Sequence, residues 1–330
     1  MVKPVALLGG KSALYSIIAI AIALALIPLV LGYNMYYVYL AAQVVLVTIM
    51  VLAWNIIGGY AGQLDLASSG YMALGGAVSG LLLAFYNVTP WLGMPLGALT
   101  AAGLAFLMGY PTFRFGVKEV WYALSTAALV VILQRVFWLI YGSTEIYMPI
   151  HRWSWYHLRF SRYEPLYYML VVILLVTLWL NIRIKNSKLG YYLTAIGEDE
   201  LAAEALGIDT RRYKLYALLI YASILGFVGG IYVNLTSIVS FRMFDPWLGI
   251  VVAVMGIIGG LGSIAGVFMA AVILRTLEEY LRSMFGATIP GIHLLIYGLL
   301  LIVVGVLKPE GFAGFLKYFR RRLARGGSGG

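Results

Sequence analysis

Repeated apolar runs, most of them close to the length of a membrane-spanning helix, limit the possible folds of this chain more than any other feature. A helix needs about 20 apolar residues to cross the hydrocarbon core of a bilayer, and only helices and closed barrels satisfy their backbone groups there. The composition agrees, because 62% of the residues are hydrophobic and 11% are charged, against roughly 25% charged in soluble domains. We therefore predict helices in the segments 13–31, 34–57, 66–86, 91–110, 119–141, 165–182, 214–236, 247–261, 264–284 and 291–307.

Two of these segments are irregular, so the sequence predicts an all-α transmembrane fold, a polytopic helical bundle of 8–10 spans with Gly-rich broken helices. Residues 247–261 are short and rich in glycine, and residues 66–86 begin in a polar stretch. Residues 1–325 are expected to form a single transmembrane domain. Residues 326–330 consist of glycine and serine and are typical of a flexible linker or a tag scar.

The basic residues lie in short stretches between or beyond the apolar runs, which is the positive-inside pattern of membrane proteins. The net charge of +10 therefore indicates orientation and gives no support to nucleic-acid binding. If all ten segments cross, the N-terminus, residues 111–118, residues 183–213 and the C-terminal tail fall on the cytoplasmic side. Residues 142–164, rich in Trp and Tyr, then fall outside, where aromatic side chains are typical of the membrane interface.

An acidic stretch in the longest of the basic loops predicts a short helix outside the bilayer. Asp199 is a favoured N-cap, the residues from Glu200 to Leu206 are mostly helix formers, and Gly207 is a typical C-terminal cap. The acidic side chains suit a surface that docks into a groove on a soluble partner. An ordinary solvated loop helix is the alternative.

Four motifs along the chain match one family pattern in the expected order. They are the run from Ala195 to Ile208 with Tyr213 and Lys214 after it, the run from Asn55 to Leu64, Arg114-Phe115-Gly116 with Ala123 and Thr126, and the run from Lys308 to Gly314. Together they resemble the permease subunits of ATP-binding-cassette (ABC) importers, and most closely the branched-chain amino-acid permease family. The resemblance covers the chain from about residue 50 to about residue 316.

The resemblance implies a transporter subunit that works with several partners. A second homologous permease subunit, identical or different, would complete the path, and an extracytoplasmic solute-binding protein would deliver the solute. Two ABC ATPase subunits would use ATP and Mg, so this chain would bind no cofactor and would not be an enzyme. The complex would lie in the lipid bilayer of a prokaryotic plasma (inner) membrane, with the N- and C-termini cytoplasmic. The ATPase-coupling segment within the cytoplasmic loop 183–214 would comprise Glu198, Asp199, Glu200, Ala202, Ala203, Glu204, Ala205, Leu206, Gly207 and Ile208.

Candidates for the translocation path are the Gly-rich breaks and the polar residues within apolar segments. They are Gly58, Gly59, Tyr60, Gly62, Gln63, Asp65, Ser68, Gln134, Arg135, Gly259, Gly260 and Gly262. Asp65 has two interpretations: it caps the third helix, or it lines the path, since a carboxylate inside a span must face protein or water. The sequence from Ile56 to Gly59 recurs from Ile257 to Gly260, through either an internal repeat or chance.

Three departures from the family pattern leave other solutes open. Gly197 stands where the family usually has Arg, the residues from Asp65 to Ser68 replace Ser-Leu-Gly-His, and those from Gly142 to Thr144 reduce a Thr-Gly-Gly motif. The alternatives are an ABC-importer permease for urea, amides, a sugar or a nucleoside, and an ATP-independent secondary transporter. The secondary transporter has less support, because ion-coupled carriers usually show several intramembrane acids.

The sequence predicts neither a catalytic site nor a metal site. The chain has no cysteine and three histidines, and these histidines lack a second ligand at metal-binding spacing. The run Gly10-Lys11-Ser12 lacks the first glycine and the preceding strand of a phosphate-binding loop. In segment 264–284, Arg275 with Glu279 and Glu278 with Arg282 form i,i+4 pairs that we expect to be structural.

Overall fold

The computed structural model of the chain describes residues 10–117, 119–149, 153–285, 292, 295–299 and 314. Within this part, long helices follow one another through short connections. The α-helices are α1 (Gly10–Val30), α2 (Met35–Trp54), α3 (Ser68–Tyr86), α4 (Pro90–Arg114), α5 (Glu119–Tyr141), α6 (Glu164–Lys185), α7 (Lys188–Glu198), α8 (Glu200–Ala205), α9 (Thr210–Thr236), α10 (Pro246–Gly259) and α11 (Ile264–Phe285). A π-helical turn (Asn55–Tyr60) continues α2, and a 3₁₀ turn (Phe241–Met243) precedes α10.

Short strands connect the loops at one end of the bundle. They are β1 (Ile146–Tyr147), β2 (Trp153–Ser154), β3 (Arg159–Phe160) and β4 (Ile238–Val239). β1 pairs antiparallel with β4, and β2 pairs antiparallel with β3. The indole nitrogen of Trp91 donates to the carbonyl of Trp155. This hydrogen bond connects the loop between β2 and β3 to the start of α4. We call this the strand end of the molecule, comprising residues 31–34, 87–89, 142–149, 153–163 and 237–245.

The opposite end, which we call the junction end, carries the short helices. It comprises residues 61–67, 115–117, 186–209 and 260–263. Successive helices alternate in direction, so these connections lie at the same end of the bundle. The ammonium group of Lys185 donates to the carbonyl of Gly262 there, at 2.7 Å. The structure therefore separates residues 142–149 and 153–164 from residues 183–213, as the charge pattern predicts.

The helices confirm the predicted all-α polytopic fold. Seven helices of the described residues are long and apolar enough to cross a membrane, from Met35–Tyr60 to Phe241–Gly259. The first predicted segment is also helical, with a shorter apolar part at Ile17–Val30, and segment 264–284 is α11, which carries four charged residues. Apart from isolated positions, segment 291–307, the motif at 308–314, the basic C-terminal tail and residues 326–330 lie outside the described residues.

Helices α3, α4 and α9 form a group whose backbones touch. A side chain on Gly75 would overlap the backbone of Gly226, one on Gly97 would lie 2.5 Å from the carbonyl of Gly75, and one on Gly229 would overlap the carbonyl of Met72. Small residues at helix crossings allow this close packing in membranes, where contact area replaces the hydrophobic driving force. The glycines therefore bring these three helices into backbone contact.

The two Ile-Ile-Gly-Gly runs lie side by side at the junction end. The amide of Gly262, just after the second run, donates to the side-chain oxygen of Asn55, just before the first, at 3.1 Å. The ring of Trp54 occupies the space that a side chain on Gly58 would need, and a side chain on Gly259 would lie 2.5 Å from the Cα atom of Val267. Close packing thus accounts for these glycines in both runs, and an internal repeat stays a prediction.

Candidate functional site

The predicted loop helix is present as α8, with both of its predicted caps. The Asp199 carboxylate accepts hydrogen bonds from the amides of Leu201 and Ala202, at 2.9 and 3.0 Å. At the other end, Gly207 has a φ of +85°. The amide of Gly207 bonds to the carbonyl of Glu204, and the amide of Ile208 to that of Ala203. These two bonds form a Schellman motif, which ends a helix at a glycine in the left-handed conformation.

A separate helix that the sequence did not predict, α7, precedes α8. Ser187 caps it by accepting from the amide of Gly190, and α7 buries Leu193 and Ile196. The signal for this helix was present, since Ser187 is a favoured N-cap and Leu189, Leu193 and Ile196 recur at helical spacing. The polar residues between them obscured that period.

Both acidic side chains of α8 have partners within the chain, and the predicted acidic docking surface stays a prediction. A carboxylate oxygen of Glu200 lies 2.6 Å from the ammonium group of Lys214, which is buried. The Glu204 carboxylate accepts a hydrogen bond from Thr210 at 2.7 Å. The large apolar side chains exposed here are those of Leu201, at 68%, and of the C-cap residue Leu206, at 82%. Apolar side chains presented on a short helix favour a groove on a partner protein.

The end of α7 contacts the break after α2 through two glycines. A side chain on Gly62, which has a φ of +66°, would lie 3.2 Å from the Cα atom of Gly197. A side chain on Gly197 would in turn lie 2.5 Å from the carbonyl oxygen of Tyr60. The departure from the family pattern at Gly197 therefore has a physical reason, because this backbone contact leaves no space for an arginine.

Asp65 lies three residues beyond that contact and is completely buried. Its carboxylate accepts hydrogen bonds from the amide of Ala67 at 2.8 Å and from the hydroxyls of Tyr122 and Tyr221 at 2.9 and 3.3 Å. The predicted cap is incorrect in its position, because α3 begins at Ser68 and its N-cap residue is Ala67. Asp65 instead links the break after α2 to α5 and α9.

The other path candidates divide into two groups. The first lies at the junction end with Asp65. There, the hydroxyl of Tyr60 donates to Asn181 and that of Ser68 lies 2.7 Å from the hydroxyl of Tyr221. Gly58, Gly59, Gly62, Gln63, Gly259, Gly260 and Gly262 belong to this group.

The second group, on α5, lies away from the first. The side-chain amide of Gln134 donates to the carbonyl of Phe244 at 2.9 Å, near the strand end. Arg135 is exposed on the surface of the chain. Few residues of α5 are buried: 22% in its most apolar stretch, against 83% for α2 with its π-helical turn.

The charged residues of α11 form the predicted pairs, and three of the four are buried. Arg275 lies 2.7 Å from Glu278 and 2.5 Å from Glu279, and Arg282 lies 3.7 Å from Glu278. Arg275, Glu278 and Glu279 are each less than 10% exposed. Ionised groups at such depth in an apolar helix are costly and face protein or water.

Residues 36–305 match the family model described as "Branched-chain amino acid transport system / permease component". The chain belongs to this family. It is therefore a permease component of a transport system and a multi-pass membrane protein. No solved structure matches the chain.

Relatives with curated names agree with the family. The chain is 28% identical over 301 residues to the high-affinity branched-chain amino acid transport system permease protein LivM of Escherichia coli K12, which covers 82% of this chain and 68% of that protein. It is 24% identical over 277 residues to the probable permease LivH of Methanocaldococcus jannaschii (76% and 82%). It is 25% identical over 287 residues to LivH of E. coli K12 (79% and 91%).

Proposed function

We propose that this permease forms part of the translocation path of an ABC importer for branched-chain amino acids, and that residues 198–208 couple it to separate ATPase subunits. The names of its relatives support this solute class over urea, amides, sugars and nucleosides. Residues 1–325 then form one permease domain. A second permease subunit, two ATPases that use ATP and Mg, and an extracytoplasmic binding protein complete the complex. This chain binds no cofactor of its own.

The coupling proposal rests on two exposed apolar side chains at α8, a helix that an ion pair holds to α9. Leu201 and Leu206 point away from the bundle, while the contact between Glu200 and Lys214 holds α8 to the start of α9. A partner that moves α8 also moves α7, whose end rests on the break after α2 through Gly197. On this proposal the junction end is cytoplasmic, which agrees with the basic residues there. Both termini are then cytoplasmic, in a prokaryotic inner membrane.

The test uses the complete complex of permease, ATPase and binding protein in proteoliposomes. Leu206→Ser removes apolar contact area from α8 without disturbing packing, so the permease should fold but lose ATPase association and ATP-driven leucine uptake. Leu206→Met keeps the apolar area and serves as the control. If Leu206→Ser retains full association and uptake, the coupling surface lies elsewhere.

Solute and energy source are tested in the same vesicles. We expect ATP-dependent uptake of leucine, isoleucine and valine, with no uptake of urea, sugars or nucleosides. Leucine uptake by vesicles that contain the permease but no ATPase would contradict the proposal and favour a secondary transporter.

A further inference from the structure

A cavity of about 220 Å³ lies between α2, α9, α10 and α11 in the half of the bundle nearer the strand end. Its position follows from its lining, which includes Tyr39 near the start of α2, Tyr232 near the end of α9 and Trp247 at the start of α10. Pockets for drug-sized ligands measure about 300–1,000 Å³. This cavity therefore suits a smaller solute.

One wall of the cavity is ionic. It is formed by Arg275, Glu278, Glu279 and Arg282 of α11. Arg275 is 7% exposed and holds both carboxylates, yet its Nε–H has no hydrogen-bond partner. Arg282 is held more loosely: its side chain is 49% exposed and its nitrogens lie 3.5 and 3.7 Å from the two carboxylates. The wall thus presents donors and acceptors of both charge signs to the cavity.

Another part of the lining is apolar. It is formed by Leu46 and Val47 of α2 and by Leu248 and Val251 of α10. Buried ion pairs often contribute less to stability than apolar side chains of similar size would, because both charges lose their hydration. Packing alone therefore does not explain why charged and apolar residues line the same cavity. A ligand that has both charged groups and an apolar side chain would explain it.

We propose that this cavity binds the zwitterion of an apolar α-amino acid. The ligand's carboxylate pairs with Arg282 and with the Nε–H of Arg275, and its ammonium group pairs with Glu278 and Glu279. Its side chain lies against Leu46, Val47, Leu248 and Val251. This inference rests on the proposed function for the direction of transport, since the strand end is then the side on which solute arrives. It adds a solute site lined by residues of a single permease subunit.

The test measures equilibrium binding of radiolabelled leucine to the permease–ATPase complex in nanodiscs, without binding protein or ATP. Two competitors each lack one charged end of leucine: 4-methylpentanoate has no ammonium group and 3-methylbutylamine has no carboxylate. We expect each to compete at least about tenfold less well than unlabelled leucine, because charge-assisted hydrogen bonds are the strong ones. Equal competition by all three would overturn the proposal.

Substitutions place the binding in this cavity. Val251→Met places a longer side chain in the cavity. Leucine binding should weaken by about tenfold or more, because leucine loses contacts with the lining that nothing replaces. Val254→Met, on the same helix but outside the cavity lining, is the matched control. Arg282→Gln should also weaken binding, with Arg183→Gln at the junction end as its control. Binding that is equal in Val251→Met and Val254→Met would exclude the cavity.

Uptake assays on the same preparations separate this inference from the proposed function. If the wild-type complex transports leucine but shows no binding that Val251→Met weakens, the cavity proposal fails and the proposed function stands. If leucine binds in the cavity but is not transported with ATP, the proposed function fails and the site stands.

Discussion

Glycine lies at the closest backbone contacts of two regions, the α3–α4–α9 group and the junction between α7 and the break after α2. In the helix group, Gly75 and Gly229 contact backbone within long helices and are buried. At the junction, Gly62 and Gly197 are exposed and meet at the end of a short helix. One set of glycines thus packs long helices against one another, whereas the other brings a loop helix against the break after α2. We propose that movement of the loop helix reaches the bundle through this second contact.

The largest expected effect on folding comes from disrupting the α3–α4–α9 group. In Gly229→Leu, the new side chain would overlap the carbonyl of Met72 and displace α3 from α9. Overpacking a well-packed interior costs about 1–3 kcal/mol and occasionally more, and here the obstacle is backbone, which cannot rotate away. We expect loss of monodisperse protein, measured by size-exclusion chromatography and thermal unfolding in detergent.

Gly103→Leu is the matched control for this prediction. Gly103 lies on α4, and nothing lies within 4 Å of a side chain built there. Replacing a helical glycine by leucine also improves helix propensity. The control should therefore fold as well as the wild type, and comparable losses in both variants would contradict a special role for the α3–α4–α9 contacts.

The second effect concerns the ion pair that holds the junction in place. Lys214→Met leaves the carboxylate of Glu200 without the partner that lies 2.6 Å away. Breaking a buried pair on one side costs about 3–5 kcal/mol, and we expect about 3 kcal/mol because Glu200 keeps some contact with solvent. The thermal unfolding midpoint should fall, and the double variant Lys214→Met/Glu200→Gln should recover most of the loss. Additive losses in the double variant would show that the pair is not the cause.

The features that the sequence predicts in these two regions are local ones. Apolar runs mark the long helices, and the caps at Asp199 and Gly207 are visible because capping depends on a few neighbouring residues. The inward direction of Glu200 depends on Lys214, which lies across a loop. The surroundings of Asp65 depend on Tyr122 and Tyr221, which come from α5 and α9. Such contacts between distant segments follow from packing, and a single sequence does not reveal them.

The third effect separates coupling from stability. Gly197→Val places a side chain against the carbonyl of Tyr60, so α7 must shift away from the break after α2. Because this contact lies at the surface, the strain should stay within about 1–2 kcal/mol and the permease should still fold and bind the ATPase. ATP-driven leucine uptake per assembled complex should fall at least about tenfold, if roughly 1.4 kcal/mol of that strain must be overcome in each cycle.

Thr194→Val is the control for the junction variant, because Thr194 is exposed on α7 and its hydroxyl bonds within the helix. Uptake by this control should match the wild type. Full uptake by Gly197→Val would mean that movement reaches the bundle by another contact, such as that between Lys185 and Gly262.

The smallest effect tests whether α8 must be ordered before a partner binds. Asp199→Ala removes the acceptor of the Leu201 and Ala202 amides, at a cost of about 1 kcal/mol to the helix. Asp199→Asn keeps a cap of similar strength without the negative charge. Hydrogen exchange at these two amides should accelerate about fivefold in the alanine variant only, because about 1 kcal/mol corresponds to that factor. ATPase association should weaken in parallel with the exchange, in the alanine variant only. Equal weakening in both variants would instead show that the partner recognises the negative charge of Asp199.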